Sequence, residues 1–207
     1  MHLYFDLDGT LFETEPVVLA ASRAFCEEFR RPYPGDPSVL SKVGRPLPEF
    51  LENLLGAPAD EAATRRYNET ECAEVLRNGR LFEGAKAALM ALKTEGHTLF
   101  VLSNGVMEYI ELVLSATGVR PLFAALYTAG NSPSKAHKLR EVLPPNTPAA
   151  FVGDTVDDLK AARENNLPHI AALYGYGGED AYDSFSYLAR SPADIPAIVR
   201  RLCDPAS

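Results

Sequence analysis

Five short apolar runs, each ending in polar residues and separated by helical spacing, constrain this chain more than any other feature. Residues 3–7 lead into FDLDGT (5–10), 98–102 into Ser103-Asn104-Gly105, and 123–127 into GNSPSK (130–135). Residues 149–152 lead into GDTVDD (153–158), and 169–173 into YGYGG (174–178). Short apolar segments bounded by turn residues read as buried strands. Between them, helical periodicity marks Ala85, Ala88, Leu89 and Leu92, then Val106, Ile110, Val113 and Leu114, then 135–143 and 157–165. Ile195, Ile198, Val199 and Leu202 mark a last helix. Strands alternating with helices predict an α/β fold, a Rossmann-like doubly wound parallel sheet covered on both faces. Ligands bind beyond the carboxyl ends of such strands, so the polar tips are where chemistry is expected.

Residues 14–80 break the alternation. Val18, Ala21, Phe25 and Phe29 recur at helical spacing, as do Leu47, Phe50, Leu51, Leu54 and Leu55, with a weaker pattern over 60–77. Pro32, Pro34, Gly35, Pro37, Gly56 and Pro58 divide the stretch into pieces. It reads as a small all-helical unit inserted after the first strand, leaving 1–13 and 81–207 for the α/β core. The Gly- and Tyr-rich segment 174–194 reads as loop.

Composition narrows the partners. A net charge of −8 disfavours a nucleic acid polymer, which calls for a basic surface. No apolar stretch approaches the ~20 residues of a membrane span, and the N-terminal residues do not resemble a signal peptide. Cys26, Cys72 and Cys203 are odd in number and far apart, which reads as free thiols in a reducing, cytoplasmic setting. His2, His97, His137 and His169 have no metal-ligand spacing.

The strand tips bring Asp6, Asp8, Asp154, Asp157 and Asp158 toward one edge, with Thr10, Ser103 and Lys135. Alternation along the first strand would put Asp6 and Asp8 on one side and Leu7 on the other. Carboxylates crowded in a low-dielectric site cannot all ionise cheaply, and a divalent cation resolves the repulsion. All-oxygen ligands with room for water and phosphate suit Mg²⁺. Phosphoryl transfer would use every part. One carboxylate attacks phosphorus, and its neighbour moves the proton. Lys135, Ser103 and backbone N–H groups near Asn104-Gly105 hold the equatorial oxygens.

FDLDGTL (5–11), LSNG (102–105), SK (134–135) and VGDTVDD (152–158) stand in the order and loop contexts of the haloacid dehalogenase-like phosphohydrolases, which the chain resembles over nearly its whole length. The helical insert, KVGRPLPEFLENLL (42–55) and YGYGGED (174–180) resemble the phosphoglycolate phosphatase-like branch with its C1-type cap domain. The resemblance implies Asp6 as nucleophile and Asp8 as general acid/base whose backbone carbonyl also touches the metal. It implies Ser103 and Lys135 as phosphate binders, and Asp154 with Asp158 as Mg²⁺ acids, Asp157 being the rival for the second. Thr10, Asn104, Gly105 and, from the cap, Arg45 are the expected substrate-side residues, with Lys42 a poorer choice than Arg45. FETEP (12–16) and GNSPSK depart from the branch pattern without removing a catalytic group.

The expected function is a Mg²⁺-dependent phosphatase acting on a small phosphorylated metabolite, phosphoglycolate by default, as a monomer or homodimer. A β-phosphoglucomutase-like sugar phosphomutase is the alternative, and a non-hydrolytic phospho-acceptor or binding protein a more remote one. Halide displacement is disfavoured by Asp8, since expelling halide needs no general acid.

Overall fold

The computed structural model describes residues 1–130 and 132–204; Asn131 of the GNSPSK loop and the last three residues of the expected core, 205–207, lie outside them. Six strands form one sheet: β1 (His2–Phe5), β2 (Thr98–Ser103), β3 (Phe123–Thr128), β4 (Ala149–Gly153), β5 (His169–Ala172) and β6 (Tyr187–Ala189). Their order is β3-β2-β1-β4-β5-β6, and every neighbouring pair is parallel. Chain order reverses across β1, so β1 lies at a switch point between β2 and β4, where the two halves of such a sheet open a crevice.

Strand parity decides which helix covers which face. Leu3, Phe5, Leu99, Val101, Ala150, Val152 and Ile170 point to one side. There they meet α5 (Ala85–Thr94), α6 (Met107–Ala116) and α9 (Ile195–Cys203). Tyr4, Phe100, Leu102, Ala149 and Phe151 point to the other, against α7 (Lys135–Val142) and α8 (Val156–Glu164). Both faces are apolar because both are covered, which is why the strands read as continuous apolar runs.

Four helices lie between β1 and β2 ahead of α5: α1 (Glu15–Glu28), α2 (Asp36–Leu40), α3 (Leu47–Leu55) and α4 (Glu61–Asn78). They enclose a cluster of their own, built on Phe25, Phe50, Leu51, Leu54 and Tyr67. Asp60 starts α4 by accepting a hydrogen bond from the Ala63 N–H at 2.7 Å, and Gly56 ends α3 in the left-handed conformation at φ +69°. The two chain crossings into this insert are tied together. The Glu13 N–H donates to the Arg80 carbonyl at 3.0 Å, and the Arg80 guanidinium bridges both Glu13 carboxylate oxygens at 2.5 and 2.8 Å.

Two expectations need correction. β1 ends at Phe5, so Asp6 and Asp8 lie on the loop beyond it, where strand alternation no longer governs them. The segment 174–194 is not all loop: Tyr187–Ala189 adds a sixth strand beside β5. Only Ala189 of the three is buried, so no apolar alternation announced it. Among the described residues no helix is long and apolar enough to cross a membrane.

Phe151 is fully buried between the sheet and α7–α8. Phe151→Ala is expected to destabilise the fold by about 3–5 kcal/mol in urea denaturation, through lost transfer energy plus a cavity.

Candidate active site

The carboxyl ends of β1 and β4 and the start of α7 meet at one place. Asp6 follows β1 directly, and its N–H continues the sheet ladder by donating to the Val152 carbonyl at 2.9 Å. Gly9 turns the chain at φ +80°, and a Cβ there would run into the Asp154 carboxylate. That position needs glycine twice over, for backbone angle and for space. Thr10 donates its hydroxyl to Asp154 Oδ1 at 2.9 Å, and the Tyr176 N–H donates to Asp154 Oδ2 at 2.8 Å. Lys135, the first residue of α7, lies with Nζ 3.0 Å from Asp6 Oδ1 and 2.6 Å from Asp158 Oδ1. The other oxygen of Asp158 accepts from the Thr155 N–H at 2.9 Å and the Thr155 hydroxyl at 2.7 Å, a capping box that starts α8.

Asp6, Asp154 and Asp158 each offer a carboxylate oxygen within 4.8 Å of the others, and all three are buried. The charge does not balance, since three acids face one lysine. Burial and then the Asp158 charge raise Asp6 well above the usual carboxylate range, although Lys135 opposes the shift. The same two causes push Asp154 up to about 7. Burial alone would lower Lys135, but Asp158 and Asp6 outweigh it and hold the ammonium protonated. Among the described residues Asp6 Oδ2, which is buried, has no hydrogen-bond partner. An orphaned carboxylate oxygen in an all-oxygen, over-negative cluster fits a hard divalent cation such as Mg²⁺.

Asp8 is placed differently from the expectation. Its side chain is not in that cluster. Oδ1 accepts from the Thr14 hydroxyl and from the Tyr109 hydroxyl, both at 2.7 Å. The crowding around Asp6 therefore comes first from Asp158 and Asp154, with Asp8 the smallest contributor. Burial raises Asp8, and the Tyr109 and Thr14 hydrogen bonds pull it back. Asp8 lines a cavity of about 60 Å³ between the insert and the core, opposite Tyr67, Asn68 and Glu71 of α4.

The remaining expected residues divide. Ser103 Oγ accepts from the Gly105 N–H at 3.1 Å, which leaves its own proton to donate but occupies the Gly105 N–H expected to hold phosphate. Asn104 donates to the Gly44 carbonyl of the insert at 2.7 Å, joining the two parts of the chain across the cavity. Thr10 is fully buried, and its hydroxyl orients Asp154. Arg45 lines the cavity but is exposed and pairs with Glu49 at 3.5 Å. Lys42 lines the same cavity, and its ammonium has no ion-pair partner among the described residues. Asp158 is buried in the site, whereas Asp157 lies 4.0 Å from Lys160 with its side chain 44% exposed, so Asp158 is the acid that joins the cluster. Lys138, a rival to Lys135, pairs with Glu141 at the surface.

Sequence reading missed Thr14, Tyr109, the Tyr176 N–H and Glu71. FETEP held the signal for Thr14, and the tight YGYGG glycines held one for Tyr176. Tyr109 and Glu71 sit inside ordinary helical patterns that carry none.

A family model for the haloacid dehalogenase-like hydrolases matches residues 2–166. The chain belongs to the haloacid dehalogenase-like hydrolases. A phosphoglycolate phosphatase of Caulobacter vibrioides is 30% identical over 190 residues, covering 84% of this chain and 80% of its own. One from Synechococcus elongatus is 26% identical and covers 97% of each chain. The crystal structure of a predicted phosphoglycolate phosphatase from Haemophilus somnus shares the fold, with a TM-score of 0.80 at 22% identity over 95% of this chain and 96% of that one. As a member of this family, the chain is an enzyme, a hydrolase of the phosphatase type.

The crowded acids predict how stability follows pH. Folded Asp154 keeps its proton to about 7, whereas the unfolded chain releases it near 3.8. The folded state binds more protons between those values. The contribution of Asp154 is therefore complete below the lower value and lost as pH rises through the upper one. Metal-free protein is expected to show this loss as a falling Tm across the window. Added Mg²⁺ should raise Tm more at about pH 8 than at about pH 5, because the carboxylates that take the cation are ionised there.

Proposed function

We propose that the enzyme is a Mg²⁺-dependent phosphatase that hydrolyses a small organic phosphate monoester through an aspartyl-phosphate on Asp6. The observation that supports this reading above the others is the placement of the Asp6 carboxylate. It has one buried oxygen without a partner, and it lies beside a permanently charged lysine and two further acids. In this reading residues 14–80 serve as a cap over a core made of 1–13 and 81–207.

The carboxylates of Asp6, Asp154 and Asp158 and the Asp8 backbone carbonyl would hold Mg²⁺, which when bound supplies positive charge to the transferring phosphoryl group. Lys135 and the Ser103 hydroxyl hold its oxygens, a role suited to a fixed cation and a free hydroxyl proton. The Asp6 carboxylate attacks phosphorus and the ester P–O bond breaks. Asp8 gives its proton to the departing alkoxide, which leaves as the alcohol. Water then attacks the aspartyl-phosphate as Asp8 takes a proton from it, releasing phosphate and restoring Asp6. The raised proton affinity of Asp8 keeps a proton in place for the first half and favours its recovery in the second, and the hydroxyls of Thr14 and Tyr109 stabilise the carboxylate that stands between them. The Asn104–Gly44 contact ties the insert to the core beside the site. Likeness to the relatives makes phosphoglycolate the reference ester against which other small phosphates are compared.

Phosphate release across a panel of small esters, with and without Mg²⁺, tests the reading. Asp6→Asn is expected to abolish turnover and leave the thermal transition in place. Asp8→Asn should cost about 10²–10⁴-fold in kcat, the usual worth of a positioned acid/base. Substantial turnover by Asp6→Asn would remove the nucleophile. Conversion of β-glucose 1-phosphate without phosphate release would replace the phosphatase by a mutase.

A further inference from the structure

The wall of the cavity that faces Asp8 and Ser103 belongs to α4, and its polar atoms have an unusual balance. Asn68 lines the cavity, and its buried Oδ1 has no donor among the described residues. Glu71 lines it as well, and among the described residues it receives only the Tyr67 hydroxyl, at 3.3 Å, with no lysine or arginine paired to it. Three neighbouring donors are engaged elsewhere, the Tyr109 hydroxyl on Asp8, the Tyr67 hydroxyl on Glu71 and the Asn104 amide on Gly44, while the Ser103 hydroxyl and the Lys42 ammonium reach the cavity from outside α4. The α4 wall therefore has acceptors to fill. The cations that line the cavity, Lys42 and Arg45, come from the loop joining α2 to α3, and Arg45 is already paired with Glu49.

We propose that Asn68 and Glu71 select the leaving group, favouring a short alcohol whose far end donates hydrogen bonds, a hydroxyl or an ammonium, over one that ends in a carboxylate. The proposal rests on the phosphatase reading and sets the chemistry of the substrate's far end. A donor placed between these two residues satisfies a buried acceptor that otherwise has none, a gain of the kind that separates substrates strongly. A carboxylate placed there brings more acceptors against the Asn68 oxygen and a negative charge toward Asp8, and from α4 only the single proton of Glu71 could answer it. Burial, and then Asp8, push Glu71 up to about 8, so the carboxyl keeps its proton until an entering ammonium favours the anion, displaces that proton and pairs with the carboxylate. Apolar Val18, Leu47 and Phe50 line the same cavity.

Four phosphate esters of nearly equal size test this: 2-aminoethyl phosphate, 2-hydroxyethyl phosphate, ethyl phosphate and phosphoglycolate. The expected result is a kcat/KM for one or both donor-bearing esters at least about tenfold above that for phosphoglycolate and for ethyl phosphate. Glu71→Gln should reduce the aminoethyl-to-phosphoglycolate ratio by about tenfold, and the hydroxyethyl ratio less, because the amide still accepts but carries no charge. Glu71→Leu should erase both preferences. A variant that lowers all four esters in proportion has lost structure only, and that result overturns the proposal. So does a wild-type preference for phosphoglycolate that Lys42→Ala removes and Glu71→Gln leaves alone. No Mg²⁺-dependent turnover of these esters or of p-nitrophenyl phosphate would instead overturn the phosphatase reading and the selection with it.

Discussion

Three buried carboxylates held around one ammonium are the constraint on which the rest of this structure depends. Asp6, Asp154 and Asp158 come from two strand ends and the first turn of α8, and none would be stable alone at this depth. Lys135 neutralises one charge and fixes the relative positions of Asp6 and Asp158. Thr10, Thr155 and the Tyr176 N–H fix the remaining oxygens, and the glycines at 9, 175 and 177 leave the space that Asp154 occupies. What is left over is negative charge and one unpartnered oxygen on Asp6. The α/β core tolerates that imbalance because the cluster stands at the switch point of the sheet, where a cation and an anionic substrate can enter from outside the strands.

The helical insert divides the labour. It has an apolar cluster of its own, Val17 and Val75 join it to the core beneath the sheet, and its two chain crossings are pinned to each other by Glu13 and Arg80. Asp8 stands on the insert's side of the site, tied to Thr14 beside α1 and to Tyr109 on α6. The carboxylate proposed to move protons is thus separated from the one proposed to attack phosphorus, although a single residue parts them in the chain. This separation gives them different environments, one governed by like charges and one by hydroxyl donors, as two carboxylates with distinct tasks require.

The sheet and most of the site were legible in the sequence. Apolar runs that are buried on both faces leave a strong pattern, and FDLDGT and GDTVDD mark turns where acids follow strands at once. β6 was not legible, because three residues at a sheet edge with one buried alanine carry no periodicity. Thr10 was read as facing substrate, yet it lies fully buried behind Asp154. Arg45, preferred over Lys42 from the sequence, pairs with Glu49 four residues on, a contact that no motif announced.

The sequence by itself determined which elements form, in what order, and which residue types stand at each strand tip, because apolar periodicity and turn chemistry are local properties of the chain. Only the tertiary structure decided who faces whom. The pairing of Lys135 with both Asp6 and Asp158, the turning of Asp8 toward Tyr109, and the acceptors of α4 across the cavity join residues tens of positions apart. Such contacts are set by sheet order and helix packing, and electrostatics acts through distance in space, which no spacing along the chain records.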